Sequence, residues 1–251
     1  MRSIYLAPWE PGASYHVFNR AVALNRLFCS WDNVAKFRAV LTAKVKPVFA
    51  IYSLSLVGNH FHLHGRVRSL DELEAYLRSL SKPLKRQRRY LDGEIGFQEF
   101  IGDAFARAFH AYGRSFNIHA KRTGSLMDQT VRRLRVRDGL LSRRLCVYHH
   151  ANAMKHGLYP GYTTLDGLTT YAEIVKGASD LVDLEAVYAR FGGVEAFVRF
   201  HETSVRRHAR NYAEHDELRH FGYENYPERF SYQLNRGEHY LWCPEPDDDP
   251  W

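Results

Sequence analysis

The chain lacks an apolar run long enough to cross a bilayer. Its longest, residues 48–57, is interrupted by two serines and falls well short of the roughly 18 residues a transmembrane helix needs. The first residues hold no apolar core of the signal-peptide kind, so a cytoplasmic protein with no membrane partner is expected. Cysteine is scarce: Cys29, Cys146 and Cys243 are odd in number and far apart, which excludes a disulfide framework and a cysteine-based zinc motif and points to a reducing compartment. There is no internal repeat and no low-complexity tract, which excludes solenoids and arrays.

What is present is enough apolar material for a core, 45% hydrophobic residues over 251 positions, and a lopsided charge. Residues 1–160 carry 26 basic and 11 acidic side chains, net +15, whereas residues 161–251 carry 9 and 17, net −8. A basic surface attracts phosphate backbones and releases counterions, with single-strand affinity falling by about 0.7 log units per contact per log unit of salt. Charge alone leaves a solvated basic face equally open. Position favours nucleic acid: Arg133, Arg135 and Arg137 alternate with Leu134 and Val136, so one face of a strand is arginine. Lys82, Lys85, Arg86, Arg88 and Arg89 form a second cluster. Arg133 and Arg135 have a competing role as partners of the acidic C-terminal segment.

The order of elements predicts an α+β sandwich with a mainly antiparallel sheet, ferredoxin-like or RRM-like, followed by a helical extension. Val34, Phe37, Leu41 and Val45 keep a helical stripe that Ser30 can cap and Pro47 closes. Gly58-Asn59 has the composition of a tight hairpin turn, returning the apolar strand through residues 60–68. Residues 71–80 and 97–120 read as helices, with a basic, glycine-containing connection at 83–96 between them. Residues 131–136 read as a strand, and 181–190 and 194–206 as later helices. Two units are expected, a catalytic domain over 1–160 and an acidic helical extension over 161–251. Three consecutive aspartates between prolines mark 244–251 as a tail, which the charge asymmetry would let lie across the basic groove and compete with a polyanion.

Chemistry concentrates in two places. His60-Phe61-His62 ends the strand pair, and because a strand sends residues i and i+2 to one face, two imidazoles leave the sheet side by side, as a metal site requires. His64 continues the alternation and is a neighbour on that face. Residues 138–152 read as a helix, with Asp138 as N-cap, Gly157 at C′ and Pro160 just beyond; its Tyr148 and Asn152, at i and i+4, share a face. One can attack while the other binds metal. With 16 tyrosines in the chain, that pairing singles out Tyr148 only in combination with the rest.

Four stretches, in order, resemble the single-tyrosine HUH transposases and, within them, the REP-associated tyrosine transposases. They are Tyr15-His16-Val17-Phe18-Asn19-Arg20 with Leu27-Phe28; Gly58-Asn59-His60-Phe61-His62-Leu63; Phe116-Asn117 through Arg122-Thr123-Gly124-Ser125-Leu126; and Tyr148 to Gly157. The chain departs from the family pattern at Gly58, at Met127 and at Ala153, where a proline, an aromatic residue and a proline are common. The resemblance implies a divalent cation, Mg²⁺ or Mn²⁺ with Zn²⁺ left open, held by His60, His62 and Asn152, and a nucleophilic Tyr148 that yields a 5′-phosphotyrosine and a free 3′-hydroxyl. Arg20 and Arg122 then join the basic clusters as contacts to single-stranded or hairpin DNA, the protein acting as monomer or homodimer at the nucleoid. Two rivals stay open: a domesticated DNA-binding protein that has lost cleavage, and a histidine-triad nucleotide hydrolase or transferase, which His60-Phe61-His62-Leu63-His64 also resembles.

Overall fold

A computed structural model describes residues 5–22, 25–128, 130–155 and 167–210. Gly157, Pro160, Cys243 and the acidic stretch 244–251 lie outside the described residues.

Four strands form one antiparallel sheet in the order β2-β3-β1-β4, with β1 Ser14–Arg20, β2 Phe49–Val57, β3 His60–Val67 and β4 Arg132–Val136. The alternation seen in the sequence decides the two faces. Phe61 and Leu63 point with Tyr15, Val17, Leu54 and Leu56 into the main apolar core, which α1 (Trp31–Lys44) and α4 (Phe97–His119) cover. Phe37 and Phe109 meet Phe61 at ring separations of 4.9 and 5.1 Å. Two further helices, α2 (Leu70–Ser79) and α3 (Lys85–Leu91), connect β3 to α4. The opposite face carries α5 (Gly139–Lys155). Behind it, α6 (Tyr171–Lys176), α7 (Leu184–Phe191) and α8 (Val194–Arg210) share a second core with Ala50, Tyr52 and Cys146. The α+β architecture with a mainly antiparallel sheet is thus as the sequence predicts.

Local chemistry sets the boundaries. Ser30 accepts the Asn33 N–H at 3.2 Å and starts α1. Ser69 and Glu72 close a reciprocal capping box at α2, and Asp138 accepts the Leu140 N–H at the head of α5. Gly58 turns the β2–β3 hairpin at φ +28°, and its carbonyl receives the Leu27 and Phe28 N–H groups, which ties the entry to α1 onto the hairpin. The basic connection holds the short helix α3, which local pattern does not reveal because tertiary contacts fix it: Tyr90 stacks on Phe100 at 4.5 Å and Arg86 pairs with Glu99 at 2.7 Å. The helix expected from residue 181 begins at Leu184, where Asp183 accepts the Ala186 N–H at 3.2 Å.

A β-bulge between Ile51 and Ser53 matters most for the site. Before it, Phe49 and Ile51 face the main core; after it, Leu54 and Leu56 do, and Ser53 and Ser55 turn toward α5. The extra residue, Tyr52, shifts the side-chain parity by one and places two hydroxyls among the histidines.

Candidate functional site

The face under α5 is lined with imidazoles. On β3, His60, His62 and His64 share it, and paired residues of an antiparallel ladder share a face, so His16, Phe18 and Arg20 of β1, opposite His64, His62 and His60, belong to it too. From above, α5 contributes Tyr148, His149 and Asn152. The Tyr148 ring stands edge-on to His62 at 5.7 Å, and His149 lies 5.1 Å from His16 and 5.7 Å from His62. Tyr148 and His60 retain 8% and 9% exposure, whereas His62, His16, His149 and Asn152 are closed off, so the rim of the site is the Tyr148–His60 end.

Hydrogen bonds fix most of these rings. Ser53 Oγ lies 2.9 Å from His149 Nδ1, and His16 Nε2 lies 3.0 Å from His62 Nδ1. His60 Nδ1 is 2.8 Å from Asn59 Oδ1. His64 donates from Nδ1 to the Tyr15 carbonyl at 2.9 Å and takes Ser142 Oγ on Nε2 at 2.7 Å, so both nitrogens are committed and it serves structure. Burial dominates the protonation equilibria. Desolvation, with His64 nearby, lowers His16 to about 3, desolvation also takes His64 to about 3, and His149 lies well below its ordinary value for the same first reason, reinforced by His16. All three rings are therefore neutral at pH 7, and His64 spends its lone pair on Ser142.

Of the four residues singled out for chemistry, His62, Tyr148 and Asn152 meet in one place, with His60 one strand repeat outward, 5.1 Å from His62 ring to ring. Asn152 reaches Ser55, the ladder partner of His62, and its Oδ1 is buried with no hydrogen-bond partner. An unpartnered amide oxygen reaching the ladder partner of His62 suits a cation, so these residues fit the divalent metal that the sequence resemblance implies. His16, His62 and His149 form a further set whose ligand atoms all lie within 4.8 Å of one another. Sequence reasoning missed His16 and His149; the signal was their place beside recognised residues, but only the β1–β3 register and the pitch of α5 bring them together.

The ten cationic candidates disperse. Arg20 is exposed beside His60 on the site's face. Arg133 and Arg135 pair with Val17 and Tyr15 and therefore lie on the other side of the sheet, Arg133 over the Trp9 ring at 4.5 Å and Arg135 against Glu10. Arg137 is exposed just past β4. Lys82, Lys85 and Arg88 are exposed on and before α3, with Arg86 and Arg89 paired to Glu99 and Glu94; α3 packs on α4, across the sheet from the histidines. Arg122 donates to Asn117 and to the Ser125 carbonyl and lines a cavity of about 650 Å³ with Arg114, Phe109 and Met127. Arg132, which the sequence did not single out, sits on the site's face opposite Phe18 and pairs with Asp128 at 2.7 Å.

No family model and no curated protein matches the chain. Among solved structures, a REP-associated tyrosine transposase bound to a REP hairpin is similar, at 12% identity and a TM-score of 0.45, over 70% of this chain and 86% of that one. Among the described residues no helix is long and apolar enough to cross a membrane.

Proposed function

We propose that the protein nicks and rejoins single-stranded DNA at hairpin-associated sites through a covalent tyrosine intermediate, as a transposase-like enzyme. The observation that carries this reading is the meeting of Tyr148, from α5, with His62, from β3, at a ring separation of 5.7 Å and on the rim of a histidine-lined face. Its second support is the sequence resemblance, whose four stretches supply β1, β3, the end of α4 and α5.

Tyr148 Oη attacks phosphorus in line; the new bond is P–O(Tyr), the bond broken is P–O3′, and the products are a 5′-phosphotyrosine and a free 3′-hydroxyl. The phenolic proton passes to solvent as that bond forms and the departing O3′ takes one up, so the exchange balances. Rejoining reverses the exchange with a new 3′-hydroxyl, so the phosphodiester energy is kept and no external source is needed. A divalent cation held by His60, His62 and Asn152, Mg²⁺ or Mn²⁺ from the mixed nitrogen and oxygen donors, supplies polarisation of the non-bridging phosphate oxygens. The chain's own part is orientation: the edge-on packing of Tyr148 against His62 fixes the phenol, and α5 excludes water from the inner end. Arg20, exposed beside His60, takes the flanking phosphate in this reading. In this reading residues 1–160 perform the reaction, with α6, α7 and α8 packed behind α5.

The test is incubation with labelled hairpin-tailed single-stranded DNA and Mg²⁺ or Mn²⁺, followed by denaturing electrophoresis. An adduct that survives denaturant and vanishes in Tyr148→Phe is expected. Binding without any adduct would make the protein a DNA-binding module, and nucleotide turnover lost in His62→Ala would make it a histidine-triad enzyme; either overturns the proposal.

A further inference from the structure

We infer that His16, His62 and His149 form an inner metal centre for a borderline d-block cation, Zn²⁺ by its donor set, which pins α5 to the sheet. The three imidazoles come from three elements, β1, β3 and α5, and their ligand atoms all lie within 4.8 Å of one another. This set shares His62 with the outer group of His60, His62 and Asn152 and takes its Nδ1 edge, the edge that faces His16 at 3.0 Å, leaving Nε2 to the outer group.

The strongest single observation is His149. Its Nδ1 is held by Ser53 Oγ at 2.9 Å, and its Nε2 is fully buried without a hydrogen-bond partner. A buried polar atom left unpaired is costly to keep. If Ser53 accepts the Nδ1 proton, the Nε2 lone pair is the one turned inward, which is how an outer partner orients a ligating histidine. A cation among the three rings removes the deficit.

The donor set chooses the ion. Three neutral imidazoles without a carboxylate suit Zn²⁺, Co²⁺, Ni²⁺ or Cu²⁺, whereas Mg²⁺ and Ca²⁺ need oxygen. Zn–N bonds of about 2.0–2.1 Å at tetrahedral angles set nitrogens about 3.4 Å apart. His16 and His62 are already at 3.0 Å, and the longest ligand separation, at most 4.8 Å, closes with a shift of His149 on α5. With three protein ligands the fourth position goes to a water, and the buried cation joins the tyrosine helix to two strands while leaving the rim to the reaction. The same 3.0 Å between His16 and His62 also fits an N–H···N bond in a metal-free protein, and the experiment separates the two.

The full-length protein, stripped with chelator and dialysed, is titrated with Co²⁺ alone, without DNA, and followed by visible absorption and thermal melting. Wild type and His60→Gln are expected to give the intense d–d bands of four-coordinate cobalt and a raised melting temperature. His149→Gln, its fold checked by circular dichroism, is expected to bind more weakly by about 100-fold or more, and Ser53→Ala, which keeps all three rings, by about 10-fold. Absence of four-coordinate cobalt in the wild type overturns the inference, as does a spectrum lost in His60→Gln and retained in both other variants. Neither result bears on whether DNA is cut, so this inference and the nicking reaction fail separately.

Discussion

Asn152 Nδ2 sits 3.5 Å from Ser55 Oγ, a weak contact at best, and the other half of that amide is buried with nothing to accept. A side chain this poorly satisfied in a closed interior is expensive to keep. Asn152→Leu is therefore expected to raise stability against urea in chelator by about 1 kcal/mol, because an apolar side chain of similar size replaces an unsatisfied amide. The same substitution is expected to abolish the metal-dependent DNA adduct. Lower stability together with a retained adduct would reduce Asn152 to packing.

Gly65 is required by the close approach of two strands. A Cβ built there lies 2.2 Å from the Ala50 carbonyl oxygen and 2.5 Å from a Phe49 ring carbon, and the first of these is backbone within the β2–β3 ladder that cannot step aside. Gly65→Ala is expected to destabilise by about 3 kcal/mol or more, read from the urea midpoint at unchanged slope. Gly139→Ala, at the head of α5 where an added Cβ meets nothing within 4 Å, is expected to leave the midpoint within experimental scatter. Equal midpoints for the two variants would show that the strands separate freely.

Two arginines equally prominent in the sequence lie on opposite faces of the sheet. Arg20 is exposed on the face of His60, whereas Arg133 lies over Trp9 and donates through Nε to the Ala7 carbonyl at 2.6 Å. Arg20→Gln is expected to weaken single-strand binding and to flatten the slope of log affinity against log salt by about 0.7, the loss of one phosphate contact. Arg133→Gln is expected to cost about 1–2 kcal/mol of stability through the lost ring and carbonyl contacts while leaving the salt slope unchanged. Fluorescence anisotropy with a labelled single strand, repeated over a salt series, measures both. A slope change in Arg133→Gln and none in Arg20→Gln would reverse the assignment.

These positions show where the sequence was legible. Alternation in His60-Phe61-His62 determined the faces of β3 because period two is local, and Ser30, Gly58 and Asp138 marked boundaries because caps and turns are local too. Alternation also said correctly that Arg133 and Arg135 share a face. It did not say which face, since that depends on β4 pairing with β1, a contact more than a hundred residues apart. The bulge at Tyr52 was invisible within a run interrupted only by Ser53 and Ser55, and with it the turn of those serines toward α5. His16 and His149 were hidden for the same reason: a ligand set drawn from three elements exists only once register and helix pitch are fixed.

The packing of α8 onto α5 runs through a directed chain of neutral groups that acid should break. His201 donates from Nδ1 to the Phe197 carbonyl at 2.8 Å, so its Nε2 accepts from His150 Nδ1 at 2.8 Å, and His150 Nε2 in turn takes the Thr170 hydroxyl at 3.0 Å. Tyr171 of α6 packs against both rings. A proton added to His201 would set two donors face to face, and one added to His150 would remove the acceptor that Thr170 donates to. Burial, the main cause, lowers His201 to about 4 from 6.5, and lowers His150 well below 6.5 for the same reason with His201 adding repulsion. The unfolded chain therefore binds protons that the folded one refuses. The stabilisation is complete above pH 6.5 and, for His201, falls away as the pH drops from there toward 4. Each such histidine contributes a slope of about 1 kcal/mol per pH unit between pH 6 and 5. Urea unfolding at stepped pH is expected to show stability declining over that range, and His201→Gln, which can still accept from His150, to remove about one proton from the slope. An unchanged slope in that variant, or stability that rises toward acid, would mean that the two rings do not hold α8 to α5 in their neutral forms.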